Sequence, residues 1–426
     1  MILRRLALSA FLLSLFPLRP AAGEEVVTWE DCVREALLRQ PELLAARESV
    51  EQARARLGQV RSGLLPQVRG SMSVDRSNGD EDPTSYGYSL QGSQLFFDGL
   101  GSWYETWAAE QDLLAARFEY ADNSARIRHE LRTAFIDLLQ AQELITLTEE
   151  ILQRRVQQAD MVSLRYDAGR EHRGALMTAQ ANLAQARFDR DQADRDTRLA
   201  RQRLGKELGR SGYHPLTARG DLEPDTPLEP EPEMEDILEL NPAVLKLGAD
   251  LEAARYAVKS SRADFSPSIS GSARIGRSDS SWPPGDENWS LGLSLSLPIF
   301  EGGSRIDDLS RVDSALRQSE ERLRAGRDDA GLSLAGAWKN YIDARDRVVI
   351  RLLFREADEE RSRIAEAQYS SGILSFDNWI IIEDNMVRSR KSLLEARAGA
   401  LYAEAAWFLA RGVTLEGLPP GQPPEF

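Results

Sequence analysis

The sequence predicts a mainly helical protein that also contributes strands to a membrane β-barrel. Three features of the 426-residue chain support this fold class: two tandem copies of one pattern, long helical stretches with few glycines and prolines, and four strands in which apolar and small polar residues alternate. The length of each strand is close to the roughly 9–11 residues that a tilted strand needs to cross a bilayer. We therefore expect two copies of a helix–strand–strand–long helix–helix unit.

The N-terminus has the features of a secretory signal peptide, predicted at residues 1–23. Arg4-Arg5 precedes an apolar run from Leu6 to Leu18, and the small residues Ala21-Ala22-Gly23 follow at the cleavage positions. No later window holds the 18 or more apolar residues of a membrane-spanning helix. We expect the mature chain to be exported and to cross a membrane only by strands.

Composition excludes several classes of function. The net charge is −15, with three histidines and no basic run, so nucleic acid is not an expected partner. One cysteine, Cys32, cannot form an internal disulfide or a cysteine-based metal cage. The sequence has no nucleophile–base pair and no Gly-rich phosphate loop, so we expect no enzyme activity, no cofactor and no metal site.

The chain is an internal duplication. Pro242 follows Pro41 by 242 − 41 = 201 positions, and the offset becomes 203 after the first strand loop, as between Gly169 and Gly372. The expected domains are a first repeat at 24–209, a Pro/Glu-rich linker at 210–233, a second repeat at 234–412 and a Pro-rich C-terminal tail at 413–426.

Each repeat is expected to contain the same elements in the same order. In the first repeat these are a helix from Trp29 to Gly63, strands at about 66–76 and 86–97, a helix from Ser102 to Arg165 and a helix from about Ala175 to Leu208. The strands of the second repeat are expected at about 267–277 and 288–300. The longest helix would span roughly 100 Å, and the two shorter helices stacked end to end would match that length. Such lengths suit a hollow helical cylinder or a long coiled-coil bundle.

The last strand shows its two faces most clearly. Its apolar residues alternate with serines, glycine and proline, which predicts a lipid-facing side formed by Trp289, Leu291, Leu293, Leu295 and Leu297. Glycines follow the second strand of each repeat and predict strand-to-helix corners at Gly99, Gly101, Gly302 and Gly303.

Four strands pose a closure problem. A membrane sheet must close into a barrel, and the smallest such barrels have eight strands. The barrel is therefore expected to be shared between chains. Two chains would give eight strands and a filled interior, and three would give twelve strands and a lumen. Strand arithmetic alone leaves both possibilities open.

The ordered set of motifs resembles the outer-membrane efflux protein family, the TolC-like channels. The residues that carry the resemblance are Gln40-Pro41 and Asn241-Pro242, the Pro66 and Pro267 strand openings, Leu297-Pro-Ile-Phe-Glu-Gly-Gly303, and Tyr-x-x-Gly at both inter-helical turns. The resemblance covers the chain from about Trp29 to Gly412. It implies a homotrimer with a twelve-stranded barrel in the outer membrane and a twelve-helix α-barrel extending into the periplasm.

The resemblance also implies partners. Members of the family are passive conduits that receive substrate from an inner-membrane pump, of RND, ABC or MFS type, through a periplasmic adaptor protein. They serve tripartite efflux or type I secretion systems and perform no chemistry. It implies that Tyr166, Gly169, Tyr369 and Gly372 form the periplasmic tip that adaptors contact.

The gate residues of the family are only partly present. The resemblance makes Asp377 the candidate for a ring of acids that selects cations, with a solvated helix-start aspartate as the alternative. The closing links of the family also use a tyrosine, an arginine and an acid near the turns. Tyr369 is kept, but Leu374 stands for the arginine and Ala175 for the acid. We therefore expect other contacts to hold this gate. His172 has no second ligand at metal-binding spacing and is expected to be an exposed turn residue.

A periplasmic coiled-coil adaptor or scaffold without a pore is the alternative function. An adaptor should carry a lipoyl-like β-domain between its helical arms, whereas the β-segments here are only paired strands of membrane length.

Overall fold

A computed structural model describes residues 25–76, 84–223, 231–419 and 421–422 of the chain. The expected signal peptide lies outside this part, as do most of the acidic loop between the first two strands, residues 224–230 of the linker and the last residues of the C-terminal tail. Among the described residues, no helix is both long enough and apolar enough to cross a membrane.

Eight helices in the described residues form two matching sets. The first set is α1 (Trp29–Arg39), α2 (Pro41–Ser62), α3 (Gly101–Asp167) and α4 (Arg173–Glu207). The second set is α5 (Met234–Glu239), α6 (Pro242–Ala263), α7 (Ser304–Ser370) and α8 (Phe376–Ala410). The last three helices of each set have equal lengths of 22, 67 and 35 residues, which agrees with the internal duplication.

The single helix expected from Trp29 to Gly63 is two helices. The chain breaks at Gln40, whose backbone is extended at φ −66° and ψ 117°. Pro41 lacks the N–H that would continue α1, and it favours an extended residue before it. Proline is well suited to the first turn of a helix, so α2 begins at Pro41, and the Gln40 side chain accepts a hydrogen bond from the Leu43 N–H at 2.7 Å.

The strands form two sheets, made from β1 (Glu25–Val27), β2 (Gln67–Arg76), β3 (Thr84–Phe97), β4 (Leu216–Ala218), β5 (Ser268–Asp279) and β6 (Asp286–Ser296). The larger sheet is antiparallel in the order β2-β3-β5-β6, so β2 and β6 are its edges in the described chain. The small sheet pairs β1 with β4 in parallel and was not expected from the sequence.

The expected end of the last strand was wrong. The last strand was expected to reach residue 300, but β6 ends at Ser296, so Leu297 lies just beyond it. Pro298 follows and cannot donate a ladder hydrogen bond. Gly101 lies at the first corner, where α3 begins and where its N–H donates to the Asp98 carbonyl at 3.2 Å, and the left-handed position beside Gly99 is held by Leu100 at φ 72°.

The helices pack as four rods in a row. Both α2 and α4 pack along α3, which also packs along α6 and α8, and α7 packs on α6 and α8. The end of α4 abuts the α1–α2 junction, since a Cβ at Gly209 would lie 2.2 Å from the Arg39 carbonyl oxygen. Gly412, after α8, meets Pro242 at the start of α6 in the same way. The rods are therefore α2/α4, α3, α6/α8 and α7, and α2/α4 and α7 are the ends of the row.

The main hydrophobic core lies midway along α3. Ile127, Leu131 and Leu138 of α3 are fully buried there against Ala36 of α1 and Leu204 of α4. Leu216 of β4 belongs to the same cluster, so the short β1–β4 sheet packs on this level of the rods. The core thereby fixes the long helices at their middle and leaves their two ends to carry the sheet and the inter-helical turns.

Candidate functional site

The larger sheet has one apolar and one polar face. Strand register places Leu293 opposite Gly271, Leu291 opposite Ala273 and Trp289 opposite Ile275. Paired residues point to the same side, so the apolar residues of β6 share a face with those of the other strands, which are Val68, Met72, Val74, Tyr86, Tyr88, Leu90, Ile269 and Ile275. In β6 these apolar side chains are between 68% and 80% exposed. The opposite face consists mainly of serines.

The corners connect this sheet to α3 and α7 by left-handed backbone. Gly99 and Leu100 have φ values of 68° and 72°, and Gly302 and Gly303 have values of 66° and 91°. In the first corner, Asp98 accepts hydrogen bonds from the Ser102 N–H at 2.8 Å and from its hydroxyl. The carboxylate thereby caps the start of α3 at the point where the strand ends.

The two inter-helical turns lie at the far end of the long helices. At 67 residues each, α3 and α7 carry the chain about 100 Å away from the sheet. Both turns end a helix with a left-handed glycine, Gly169 at φ 68° and Gly372 at φ 82°. The next N–H bonds back to the last helical turn, from Arg170 to the Arg165 carbonyl and from Ile373 to the Gln368 carbonyl. This is the Schellman motif, in which glycine adopts the left-handed backbone without a Cβ clash.

The tyrosines of the two turns differ in environment. Tyr166 is 37% exposed, whereas Tyr369 is 1% exposed and stacks on Trp379 with ring centres 4.2 Å apart. The Tyr369 hydroxyl donates to Glu171 Oε2 at 3.0 Å, and Arg165 donates to the Tyr369 carbonyl at 2.8 Å. Burial and the bond to Glu171 raise the pKa of the Tyr369 phenol above its ordinary value. The second turn is therefore held by contacts from the first.

Glu171 is a residue that the sequence analysis missed. The family pattern directs attention to position 175, where an alanine stands, but the acid lies four residues earlier and reaches Tyr369. The signal that would have found it is the polar segment between Gly169 and His172, which contains one acid. His172 itself caps α4, because its Nδ1 accepts a hydrogen bond from the Ala175 N–H at 3.1 Å.

Asp377 lies in the first turn of α8, where its side chain is exposed beside the buried Phe376. A carboxylate at this position interacts favourably with the positive end of the helix. The structure describes one chain and therefore does not bring copies of Asp377 together. Among the described residues, no group of three or more His, Cys, Asp and Glu side chains could hold a metal ion.

A buried polar network joins three helices close to the turns. Glu383 of α8 is fully buried and accepts from Arg154 Nε at 2.7 Å and Arg154 Nη2 at 3.0 Å. Gln158 of α3 donates to the same carboxylate at 2.6 Å, and the buried hydroxyl of Ser362 of α7 donates at 2.5 Å. Every lone pair of the carboxylate thus has a donor, so the low dielectric strengthens the network instead of penalising it.

Comparisons with known proteins agree with this architecture. A family model described as outer membrane efflux protein matches residues 32–210 and 234–412. The outer membrane efflux protein BepC of Brucella suis biovar 1 is 25% identical over 349 residues, which cover 78% of this chain and 70% of BepC. AprF of Pseudomonas aeruginosa, an alkaline protease secretion protein, is 28% identical over 68% of this chain and 63% of its own length. Among solved structures, CusC superposes with a TM-score of 0.81 at 20% identity, covering 90% of this chain and 91% of CusC.

The family model extends over both repeats and most of the chain. Its members are outer-membrane channel proteins, and the similar proteins include both efflux and secretion proteins. The chain is thus an outer-membrane channel protein of an efflux or type I secretion system, and it belongs to the outer membrane efflux protein family.

Proposed function

We propose that three copies of the chain form one continuous passive conduit. Its outer-membrane part is a twelve-stranded β-barrel, and its periplasmic part is a tunnel of twelve helical rods. Substrate enters at the inter-helical turns and leaves through the barrel, and the protein performs no chemistry on it. The two repeats, 24–209 and 234–412, contribute equally to both parts.

The observation that carries this proposal is that the sheet and the helical layer are open at corresponding edges. The sheet ends at β2 in the first repeat and at β6 in the second. The row of rods ends at α2/α4 in the first repeat and at α7 in the second. One rotation that brings the second-repeat edge of one copy to the first-repeat edge of the next therefore closes both layers together. Such a head-to-tail contact generates a ring.

The exposed side chains of α7 support the same arrangement. Val349, Ile350, Leu353 and Phe354 are each more than half exposed on adjacent turns of this end rod. Phe188 of α4, on the opposite end rod, is 55% exposed. Phe188 lies 15 residues from the turn end of its helix and Phe354 lies 16, so both are about 23 Å from the tip. A neighbouring copy would cover both sets of apolar side chains at the same height.

Three copies suit a conduit better than two. An eight-stranded barrel has an interior that side chains fill, whereas a larger barrel leaves a channel. The polar face of the sheet, which is rich in serine and glycine, suits a water-filled lumen. The apolar face, including Leu291 and Leu293, suits contact with lipid.

The inter-helical turns are proposed to contact the periplasmic adaptor, through which an inner-membrane pump delivers substrate. Tyr166, Gly169, Tyr369 and Gly372 lie at these turns, at the end of the helices farthest from the sheet. The exposed Tyr166 ring is available for contact, whereas the buried Tyr369 ring supports the turn from within.

Native mass spectrometry of the protein extracted in mild detergent tests the proposal. Two open sheet edges cannot be stable in lipid, so the extracted unit is expected to be a trimer. A stable monomer or dimer under these conditions would contradict the assembly. Cross-linking in intact cells before extraction distinguishes a true monomer from a trimer that the detergent has dissociated.

A further inference from the structure

The polar face of the sheet contains one row with two arginines. Arg69 of β2 pairs with Gln91 of β3, Gln91 pairs with Arg274 of β5, and Arg274 pairs with Ser290 of β6. Directly paired residues point to the same side of a sheet, so both arginine side chains project from the same face. One strand, β3, lies between them, so the two backbone positions are two strand spacings, or about 10 Å, apart.

The rows beside this one carry no charge. The row on one side consists of Ser71, Ser89, Gly276 and Asn288, and the row on the other side consists of Gln67, Ser93, Ser272 and Gly292. The acids on the polar face of the described strands are Asp75 and Asp286. Asp75 is six residues along β2 from Arg69, or about 20 Å. Asp286 pairs with Ser278, four residues along β5 from Arg274, or about 13 Å.

Neither arginine of this row has a carboxylate partner in the described part of the chain, and both are exposed. Arg277, on the apolar face of the same strand as Arg274, contrasts with them because it pairs with Glu287 at 3.3 Å. Like charges in one row repel each other, and Gln91 between them is neutral.

We propose that Arg69 and Arg274 form an anion-attracting ring in the channel lumen, which favours export substrates that carry carboxylate, phosphate or sulfonate groups. The inference rests on the proposed function, because it requires the polar face to line the lumen of a three-chain barrel. Three copies would place six guanidinium groups at one level. Arginine stays charged at any physiological pH, and rings of arginine select anions in pores. A narrow pore with low-dielectric walls focuses such a field.

The test measures the reaction rates of a cysteine placed in the arginine row. Ser290→Cys is treated with two small methanethiosulfonate reagents, one bearing a sulfonate and the other a trimethylammonium group. The reagents are added outside intact cells, so the periplasmic tip plays no part. The ring predicts that the ratio of anionic to cationic rates falls at least about threefold when Arg69→Gln and Arg274→Gln are combined. The difference should shrink in about 1 M salt, where the screening length is about 3 Å.

Two controls make the result specific. Arg277→Gln removes a charge from the opposite face and should leave the ratio unchanged, and the Arg69→Lys/Arg274→Lys variant should keep the preference for the anionic reagent. If Ser290→Cys reacts with neither reagent, the polar face does not line a lumen and the proposed conduit fails together with the ring. If it reacts but the ratio is the same with and without the arginines, the ring alone is overturned and the conduit stands.

Discussion

The Glu383 carboxylate has no solvent contact, and its stability depends on Arg154, Gln158 and Ser362. Replacing Glu383 by alanine leaves the Arg154 guanidinium without its main partner. Removing one partner of a buried pair destabilises by about 3–5 kcal/mol, and we expect about 3 kcal/mol because the Arg154 side chain is 34% exposed. Guanidinium titration followed by circular dichroism measures the change.

Glu360→Ala, in the part of α7 close to the inter-helical turn, is the matched control. Glu360 pairs with Arg363 of its own helix at 2.6 Å, and both side chains are exposed. Surface pairs of this kind contribute little, so the unfolding curve should stay close to that of the parent protein. Equal losses in the two variants would show that burial of the Glu383 network does not stabilise the helices.

Cys32 is expected to be chemically silent in the folded protein. Burial, with a smaller effect of Glu35, raises the pKa of its thiol to about 12. Because the folded pKa lies above the ordinary value of 9.0, the unfolded thiol ionises first, so the free energy of unfolding falls as the pH rises from about 9 through about 12 and is unaffected by Cys32 at neutral pH. An impermeant maleimide at pH 8 should modify the unfolded chain and spare the native one. Rapid modification of native protein would show that α1 opens readily.

Among the elements, the strands give the sharpest test of the membrane assignment. Leu293 and Ser294 are neighbours in β6, and their side chains project from opposite faces of the sheet. In the Leu293→Cys and Ser294→Cys variants, an impermeant thiol reagent should react with the cysteine at 294 and spare the one at 293. Equal labelling would contradict the assignment of faces. Leu293→Arg should cost roughly 2–4 kcal/mol if it lies near the bilayer midplane.

Gly169 tests how much the left-handed backbone contributes to the first inter-helical turn. A Cβ at Gly169 would meet nothing within 4 Å, so the effect of Gly169→Ala comes from its φ of 68°. A left-handed non-glycine residue costs about 1–2 kcal/mol. Trypsin should therefore cleave the Gly169→Ala variant faster than the parent protein at Arg165, Arg170 and Arg173, which surround this turn. Gly336→Ala is the control, because a Cβ at this position within α7 meets open space, and it should leave the cleavage rate unchanged. Equal cleavage rates in the two variants would mean that the turn tolerates the strain.

Periodic signals made the elements predictable from sequence. Alternation in β6 and the fixed offset between the repeats required only neighbouring residues or a comparison of the chain with itself, and the long helices contain few breakers. The break at Gln40 could also have been inferred, because proline cannot continue a helix. The β1–β4 pairing could not, since each strand has three residues, too few to show a period.

The contacts of the candidate site were much harder to predict. Arg154 and Glu383 are 229 positions apart, and only the packing of α3 against α8 makes them partners. Glu171 was missed because a motif fixes a sequence position, whereas a side chain on a turn can reach the same partner from a different position. The arginine row needed the strand register, which joins residues of both repeats.

At the scale of the whole assembly, the effect of charge at the periplasmic tip on ion selectivity can be measured separately from the effect of charge in the barrel. Three Asp377 carboxylates converging on the axis would favour cations and be blocked by trivalent ones. Asp377→Ala should then lower the cation selectivity recorded in a planar bilayer. Asp377→Glu, which keeps the charge, is the control. Unchanged selectivity in Asp377→Ala would leave Asp377 as a helix-start residue, and the constriction would lie elsewhere along the helices.

The paired open edges have a consequence for biogenesis. A protomer whose two ends complement each other adds copies without limit unless the rotation at each contact returns the growing assembly to its start. Two outcomes then compete. A short oligomer either closes on its own free end or binds a further subunit and becomes an open-ended polymer. Unpaired strand edges bias newly exported chains toward the second outcome. Low local concentration and early contact with lipid should therefore govern the yield of closed rings more than the stability of any single helix.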